Sequence, residues 1–362
     1  MQTVDKKRST FKGKKLTVTV FGASHDSEIG VIVKGYEKSP INLDELQRFL
    51  DRRKPNSSAY STPRKESDNA IILSGVKNEK LTGKKFKAII KNENFKSADY
   101  GDGVVTPRPS HADYVAVMKY GNTFDYRGGG KFSGRLTAPM CIAGGICKQL
   151  LKAKGITVNA FVKNIGSVQA KGYNDIDAST FDFSVAETDM PLIDESKKQE
   201  LLLETENARS QGDSVGGSVE VVVKGLPVGT GEYMFDSLEG ALSRLIFAVP
   251  ATKGIEFGLG FGFSTARGSN ANDAFYYDNG VVKTKTNNNG GINGGLANGM
   301  PITFRVAVKP TPSIALEQQT VNLKTGENTT LTVGGRHDAS IVFRAATAIE
   351  AVTAIAIYDN ME

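Results

Sequence analysis

The sequence predicts an α+β protein built in layers, and three observations carry that prediction. Short alternating segments that read as strands come in antiparallel-looking groups, single helices separate those groups, and the second half of the chain repeats the alternation of the first. A doubly wound sheet would instead alternate strand and helix one by one. No repeat is short enough for a solenoid.

Leu16 to Val20 alternates apolar and polar residues, and Glu28 to Tyr36 reads as a second strand after a polar turn, so His25 belongs to a strand-to-strand loop. Asn42 with Glu45 resembles a capping box, and Leu43, Leu46, Phe49 and Leu50 then give a helical stripe ending near Arg53. Strands are predicted at 69–76, 85–91 and 156–162, and helices at 112–119 and 137–154, the second stopped by Gly155. Residues 175–211 turn acidic and polar, with a helical pattern over 192–208, and are expected to join two halves. Beyond them come a strand at 218–224, a helix at 237–247, a strand at 302–308 and an Ala-rich helix at 342–358. That last helix is apolar on most of its surface and requires burial on several sides.

A chain of 362 residues, 39% of them hydrophobic, buries a substantial core, which excludes a disordered protein. No apolar run is long enough to cross a bilayer, and the first residues lack the apolar stretch of a secretory leader, so a cytoplasmic protein without membrane partners is expected. Cys141 and Cys147 lack metal or redox spacing and read as buried thiols. The net charge of +6 raises the question of a nucleic-acid partner. Acidic residues are interspersed almost everywhere and no basic motif is interleaved with aromatics, which argues against one. Two basic clusters stand out: Lys6 to Lys15, overlapping residues 1–12, which read as a flexible basic extension, and Arg52-Arg53-Lys54 with Arg64-Lys65. The second is interleaved with proline and serine, a composition suited to holding anions.

The chain has three histidines, His25, His111 and His337, each in a polar loop flanked by serine, aspartate or arginine. Imidazole exchanges a proton near neutrality, and three such loops weaken the reading of each as a capping or hydrogen-bonding residue. No pair has helical metal-ligand spacing, so no metal is expected. Glycine runs occur at Gly128-Gly129-Gly130 and across 290–299. Neither fits a nucleotide fingerprint, but glycine lets backbone N–H groups approach a phosphate or a flavin edge.

These segments resemble, in order, the signature stretches of chorismate synthases. The likeness rests on Gly22-Ala23-Ser24-His25, Asp51-Arg52-Arg53-Lys54-Pro55, Tyr60 to Arg64, Ile72 to Val76, Arg108 to Tyr114, Lys119-Tyr120-Gly121, Asp125 to Gly130, Gly212 to Gly217, Lys309-Pro310-Thr311 and Gly335-Arg336-His337-Asp338. It implies one domain over 1–362, a β-α-β sandwich of antiparallel sheets with internal pseudo-twofold duplication, and a homotetramer. The implied reaction is the anti-1,4 elimination of phosphate from 5-enolpyruvylshikimate 3-phosphate, the last step of the shikimate pathway, with reduced FMN and no net redox. NADPH would serve only as an external reductant through a separate flavin reductase. By matched position His25 is the acid at the departing phosphate, His111 faces the flavin, and Asp338 accepts the ring proton. Arg53, Arg108, Arg135 and Arg336 would bind substrate anions, and Ser133, Pro250, Ala251, Gly294, Lys309, Pro310, Thr311, Pro312, Ser313 and Arg336 would contact the cofactor. The chain departs from the family pattern at Ala23, Asp26, Ala59, Lys131-Phe132 and Ala339, which motivates one alternative: a divergent homologue that binds flavin or a phospho-ligand with little elimination.

Overall fold

In this computed structural model residues 7–54, 68–92, 104–334 and 337–361 are described. In chain order the elements are β1 (Arg8–Lys12), β2 (Thr17–Phe21), β3 (Glu28–Lys34), α1 (Leu43–Asp51), β4 (Ile71–Ser74), β5 (Val76–Lys77), β6 (Lys80–Leu81), β7 (Phe86–Lys91), α2 (Asp113–Tyr120) and α3 (Thr137–Lys152). After them come β8 (Thr157–Ile165), β9 (Val168–Gln169), α4 (Lys198–Ser210), β10 (Gly217–Lys224), α5 (Leu238–Ile246), β11 (Thr252–Phe257), α6 (Gly268–Ala271), β12 (Phe275–Asp278) and β13 (Val281–Thr284). The chain closes with β14 (Ile292–Asn293), β15 (Leu296–Ala297), β16 (Ile302–Val308), β17 (Gln318–Asn322), β18 (Glu327–Leu331) and α7 (Val342–Asp359).

The alternation at the start of the chain builds one sheet, in the order β1-β2-β3-β7-β4, with every pairing antiparallel. The alternation after residue 156 builds a second, β11-β16-β10-β8-β9, also antiparallel throughout. Between them lie α3, packed on the first sheet, and α7, packed on the second and against α3. This is the β-α-β sandwich expected, and it explains why α7 reads as apolar on nearly every face. Gly144 of α3 makes the helix contact close: a Cβ there would run into the backbone of Ala351.

Two carboxylates survive inside this layer because each is fully bonded. Glu350 of α7 takes a fork from Arg52, with Nη2 to Oε2 at 2.7 Å, and an ion pair from Lys148. Asp359 accepts the backbone N–H groups of Lys14, Lys15 and Leu16 at 2.9, 2.9 and 2.6 Å, fastening the turn before β2 to the end of α7.

Residues 8–12, expected as part of a flexible extension, form β1, paired in register with β2 from Arg8↔Phe21 to Lys12↔Thr17. Their polar side chains conceal a strand that lies on the sheet edge, where burial is not required. The segment read as a joiner also covers a surface: Phe181, Phe183, Val185, Ala186 and Ile193 pack on Phe161 and Val222, sealing the outer face of the second sheet. Leu192 and Ile193 are therefore buried in this region, and α4 begins later than its periodicity suggests, at Lys198.

Candidate active site

Three consecutive glycines, Gly128, Gly129 and Gly130, have φ of 56°, 82° and 55°, a left-handed run that side chains strongly disfavour. The turn also brings the first two histidines together. A Cβ at Gly128 would lie 2.6 Å from Nε2 of His25 and 2.7 Å from Oγ of Ser24, and one at Gly129 would lie 3.5 Å from Nε2 of His111. The Gly130 carbonyl accepts the Ser24 N–H at 3.1 Å, which pins the loop between β2 and β3 to the glycine turn.

A polar network runs from the His25 loop through the interior to Asp338. Asn92 donates to the carbonyls of Asp26 at 2.7 Å and Ser24 at 3.4 Å, and its Oδ1 accepts Nε of Arg135 at 3.1 Å. Arg135 and Arg53 then meet on the buried Asp68 carboxylate: Arg135 bonds Oδ1, while Arg53 places Nε and Nη2 2.8 and 2.5 Å from Oδ2. Burial pushes the Asp68 carboxyl up, but the two guanidiniums outweigh it and hold it below its ordinary value. The carbonyl of Arg53 accepts Nε of Arg344 at 3.2 Å, and Nη1 of Arg344 donates to Asp338 at 2.7 Å. His337 places Nε2 3.1 Å from the Gly334 carbonyl of its own loop.

On the other side of the glycines, Arg108, His111, Asp113 and Ser313 form one cluster. Arg108 grips Asp113 through Nε at 2.7 Å and Nη2 at 2.9 Å, and its Nη1 donates to Ser313 at 3.0 Å. Nδ1 of His111 lies 2.7 Å from Asp113 Oδ1. Burial pushes the Asp113 carboxyl up, but its hydrogen bonds to His111 and Arg108 hold it well below the usual carboxylate range. Arg108 Nη2, a donor, also lies 3.0 Å from Nδ1, but the contact to the carboxylate is shorter and an ionised carboxylate only accepts, which favours a proton on Nδ1 donated to Asp113. The other ring nitrogen, Nε2, is the one beside Gly129.

Lys309 donates to the Ser110 carbonyl at 2.7 Å, and its backbone N–H donates to Ala251, which holds φ at 71°. Burial, aided by Lys253, lowers the Lys309 pKa. In the same stretch Oγ1 of Thr311 is sealed from solvent without a hydrogen-bond partner among the described residues, as is Oγ1 of Thr252 next to Ala251. Ser133 caps the short turn before α3 by accepting the Arg135 N–H at 3.3 Å, and its Cβ faces the space beside Gly129. Gly294 forms the turn of the β14–β15 hairpin, where an added Cβ would meet nothing within 4 Å. Arg336, Ala59 and the motif from Tyr60 to Arg64 lie outside the described residues.

Over nearly the whole chain, residues 16–361 match the family model described as chorismate synthase. The chain belongs to the chorismate synthase family. A chorismate synthase of Dehalococcoides mccartyi is 44% identical over 350 residues, covering 96% of this chain and 95% of that one. One of Thermococcus gammatolerans is 42% identical over 351 residues and 97% of each chain, and one of Methanobrevibacter smithii 41% identical over 350. A crystal structure of chorismate synthase superposes with a TM-score of 0.75 at 25% identity, covering 96% of this chain and 92% of that chain. The chain is thus an enzyme of the chorismate synthase type, a lyase, with the family's α+β fold.

Within this family member, four residues that sequence reasoning assigned no role organise the candidates: Asp68, Asn92, Asp113 and Arg344. Only Asp113 carried a signal, lying inside the Arg108–Tyr114 motif. Among the departures, Ala23 and Ala339 are buried, and the Asp26 carboxylate pairs with Lys7 at 2.6 Å.

Proposed function

We propose that this chain converts 5-enolpyruvylshikimate 3-phosphate to chorismate and phosphate in the space around Gly128 and Gly129. The observation that carries the proposal is the pair of imidazoles on one glycine turn, each backed by a separate arginine and carboxylate network. His25 is the acid at the departing phosphate, and the positive charge of Arg135 behind its loop favours an anion there. His111, held by Asp113 through Nδ1 with Nε2 forward, donates from Nε2 toward the cofactor when the ring carries both protons, and Asp338, oriented by Arg344, receives the ring proton. Arg53, Arg108, Arg135 and Arg336 bind the substrate's anionic groups.

The stretch from Lys309 to Ser313, with Pro250, Ala251, Ser133 and Gly294, fits reduced FMN. Partnerless buried hydroxyls at Thr311 and Thr252 and the lysine pair Lys309 and Lys253 offer donors to a polar, anionic ligand. Reduced flavin supplies, when bound, the electron density that assists cleavage of the carbon–oxygen bond without net redox. We further propose that flavin is reduced by an external reductase with NADPH as ultimate donor, and that the enzyme works in the cytoplasm as a homotetramer. Solvent-exposed Phe235, Phe261, Phe275 and Tyr277 favour contact with further copies of the chain, and no helix among the described residues is long and apolar enough to cross a membrane. Anaerobic incubation with reduced FMN and substrate tests the function: phosphate and chorismate should appear in equal amounts. Tight flavin binding without product would instead establish the binding-only homologue.

A further inference from the structure

The ammonium of Lys7 stands between the two loops that meet at His25. Its Nζ is 2.6 Å from Asp26 Oδ1, beside His25, and 3.1 Å from Asp125 Oδ2, three residues before Gly128. Arg127 completes the group, with Nε and Nη2 2.9 and 3.0 Å from the two Asp125 oxygens. Bonds to Arg127 and Lys7 outweigh the burial that raises the Asp125 carboxyl, and hold it well below its ordinary range. The lysine itself is fixed by its backbone, whose carbonyl accepts the Gly22 N–H at 3.0 Å at the head of the His25 loop. The placement acts on the site because Asp125 is the base of the glycine turn: a Cβ at Gly130 would collide with the Asp125 carbonyl, and Gly128 is the surface against which His25 rests.

We propose that Lys7 is a positioning residue for the elimination, a clamp that draws the Asp26 end of the His25 loop onto the Asp125 end of the glycine turn and so fixes the imidazole relative to the substrate. The clamp is electrostatic. Without the ammonium, Asp125 keeps Arg127 but Asp26 loses the cation the two carboxylates share, so nothing draws the loops together across the gap that Lys7 closes. The pair also accounts for the departure at Asp26: this chain has an aspartate there and a lysine within reach of it. The inference rests on the proposed role of His25.

The test compares Lys7→Met, Lys7→Arg, Asp26→Asn and the Lys7→Met/Asp26→Asn double variant with the full-length wild type, measuring kcat and substrate KM anaerobically and the melting temperature. Misplacing a catalytic group by about an ångström costs on the order of 100-fold, so Lys7→Met should lower kcat roughly 10- to 100-fold while KM moves much less. Lys7→Arg should retain most of kcat, and the double variant should be no worse than Lys7→Met, since both act through one bridge. An unchanged kcat in Lys7→Met overturns the clamp, and so does a loss of kcat that merely tracks a fall in melting temperature. If the wild type itself makes no chorismate, the functional reading falls. The NMR signals of the His25 imidazole, assigned with His25→Ala, then decide the clamp, which fails if Lys7→Met leaves them where they are.

Discussion

Replacing Asp113 with asparagine removes one negative charge and leaves the side-chain volume nearly unchanged. Asp113 accepts from Arg108 Nε and Nη2, from the Arg108 backbone N–H at 3.2 Å and from His111 Nδ1. Each hydrogen bond to a charged group contributes about 1.5–3 kcal/mol, but bonds sharing one carboxylate are not additive and Arg108 is partly solvated. A loss of roughly 2–3 kcal/mol in stability follows. The catalytic effect is larger. With asparagine the amide group can turn a donor toward Nδ1 of His111, which the ring meets only by leaving Nδ1 unprotonated, so a ring carrying both protons no longer has its acceptor. Loss of a positioned proton donor predicts a fall in kcat of about 10²–10⁴ with little change in substrate KM. The pH dependence has a definite sign: the folded pKa of Asp113 is depressed, so its contribution to stability is present above the ordinary value of 3.8 and fades as pH falls below it. Acid unfolding followed by circular dichroism should therefore show wild type and Asp113→Asn converging toward low pH. Stopped-flow turnover supplies the kinetic half. Normal kcat in a destabilised Asp113→Asn would show that the carboxylate serves only the fold, and refute its role in proton donation.

Thr311→Val should leave stability unchanged or raise it by about 1 kcal/mol, because the buried Oγ1 has no partner among the described residues, yet weaken flavin binding in fluorescence titrations. Equal flavin affinity would remove Thr311 from the cofactor site. His25→Ala should lower turnover by roughly 10²–10⁴ while the melting temperature holds, and near-normal turnover would end its assignment as the acid. Gly144→Val should separate α3 from α7 and cost about 1–3 kcal/mol or more in denaturant melts, since the colliding atoms at Ala351 are backbone. Oxidised FMN should bind more tightly with substrate present than alone, measured by flavin fluorescence, because both would share the space beside Gly129; identical affinities would place them apart.

What the sequence determined by itself is what local pattern and composition dictate. The alternation at 16–20, 28–36 and 218–224 and the apolar faces of the helices at 137–154 and 342–358 fixed both sheets' central strands and the layer between them, because burial follows period. The motifs supplied the family and the candidate residues. Edge elements escaped: β1 and the β17–β18 hairpin are largely exposed and polar, and strands on a solvated rim carry little hydrophobic signal. Only the tertiary structure decided which charges meet. Asp68 is 15 residues from Arg53 and 67 from Arg135, Lys7 is 118 from Asp125, and nothing in spacing announces such contacts. Arg53 and Arg135, proposed to bind substrate anions, also pair with the buried Asp68, and the second basic cluster's first arginine, Arg52, pairs with Glu350 inside the helical layer. The physical reason is common to all of these: a charge drawn toward the interior must be paired there, and its partner is whichever opposite charge the folded backbone brings within reach, at any distance along the chain.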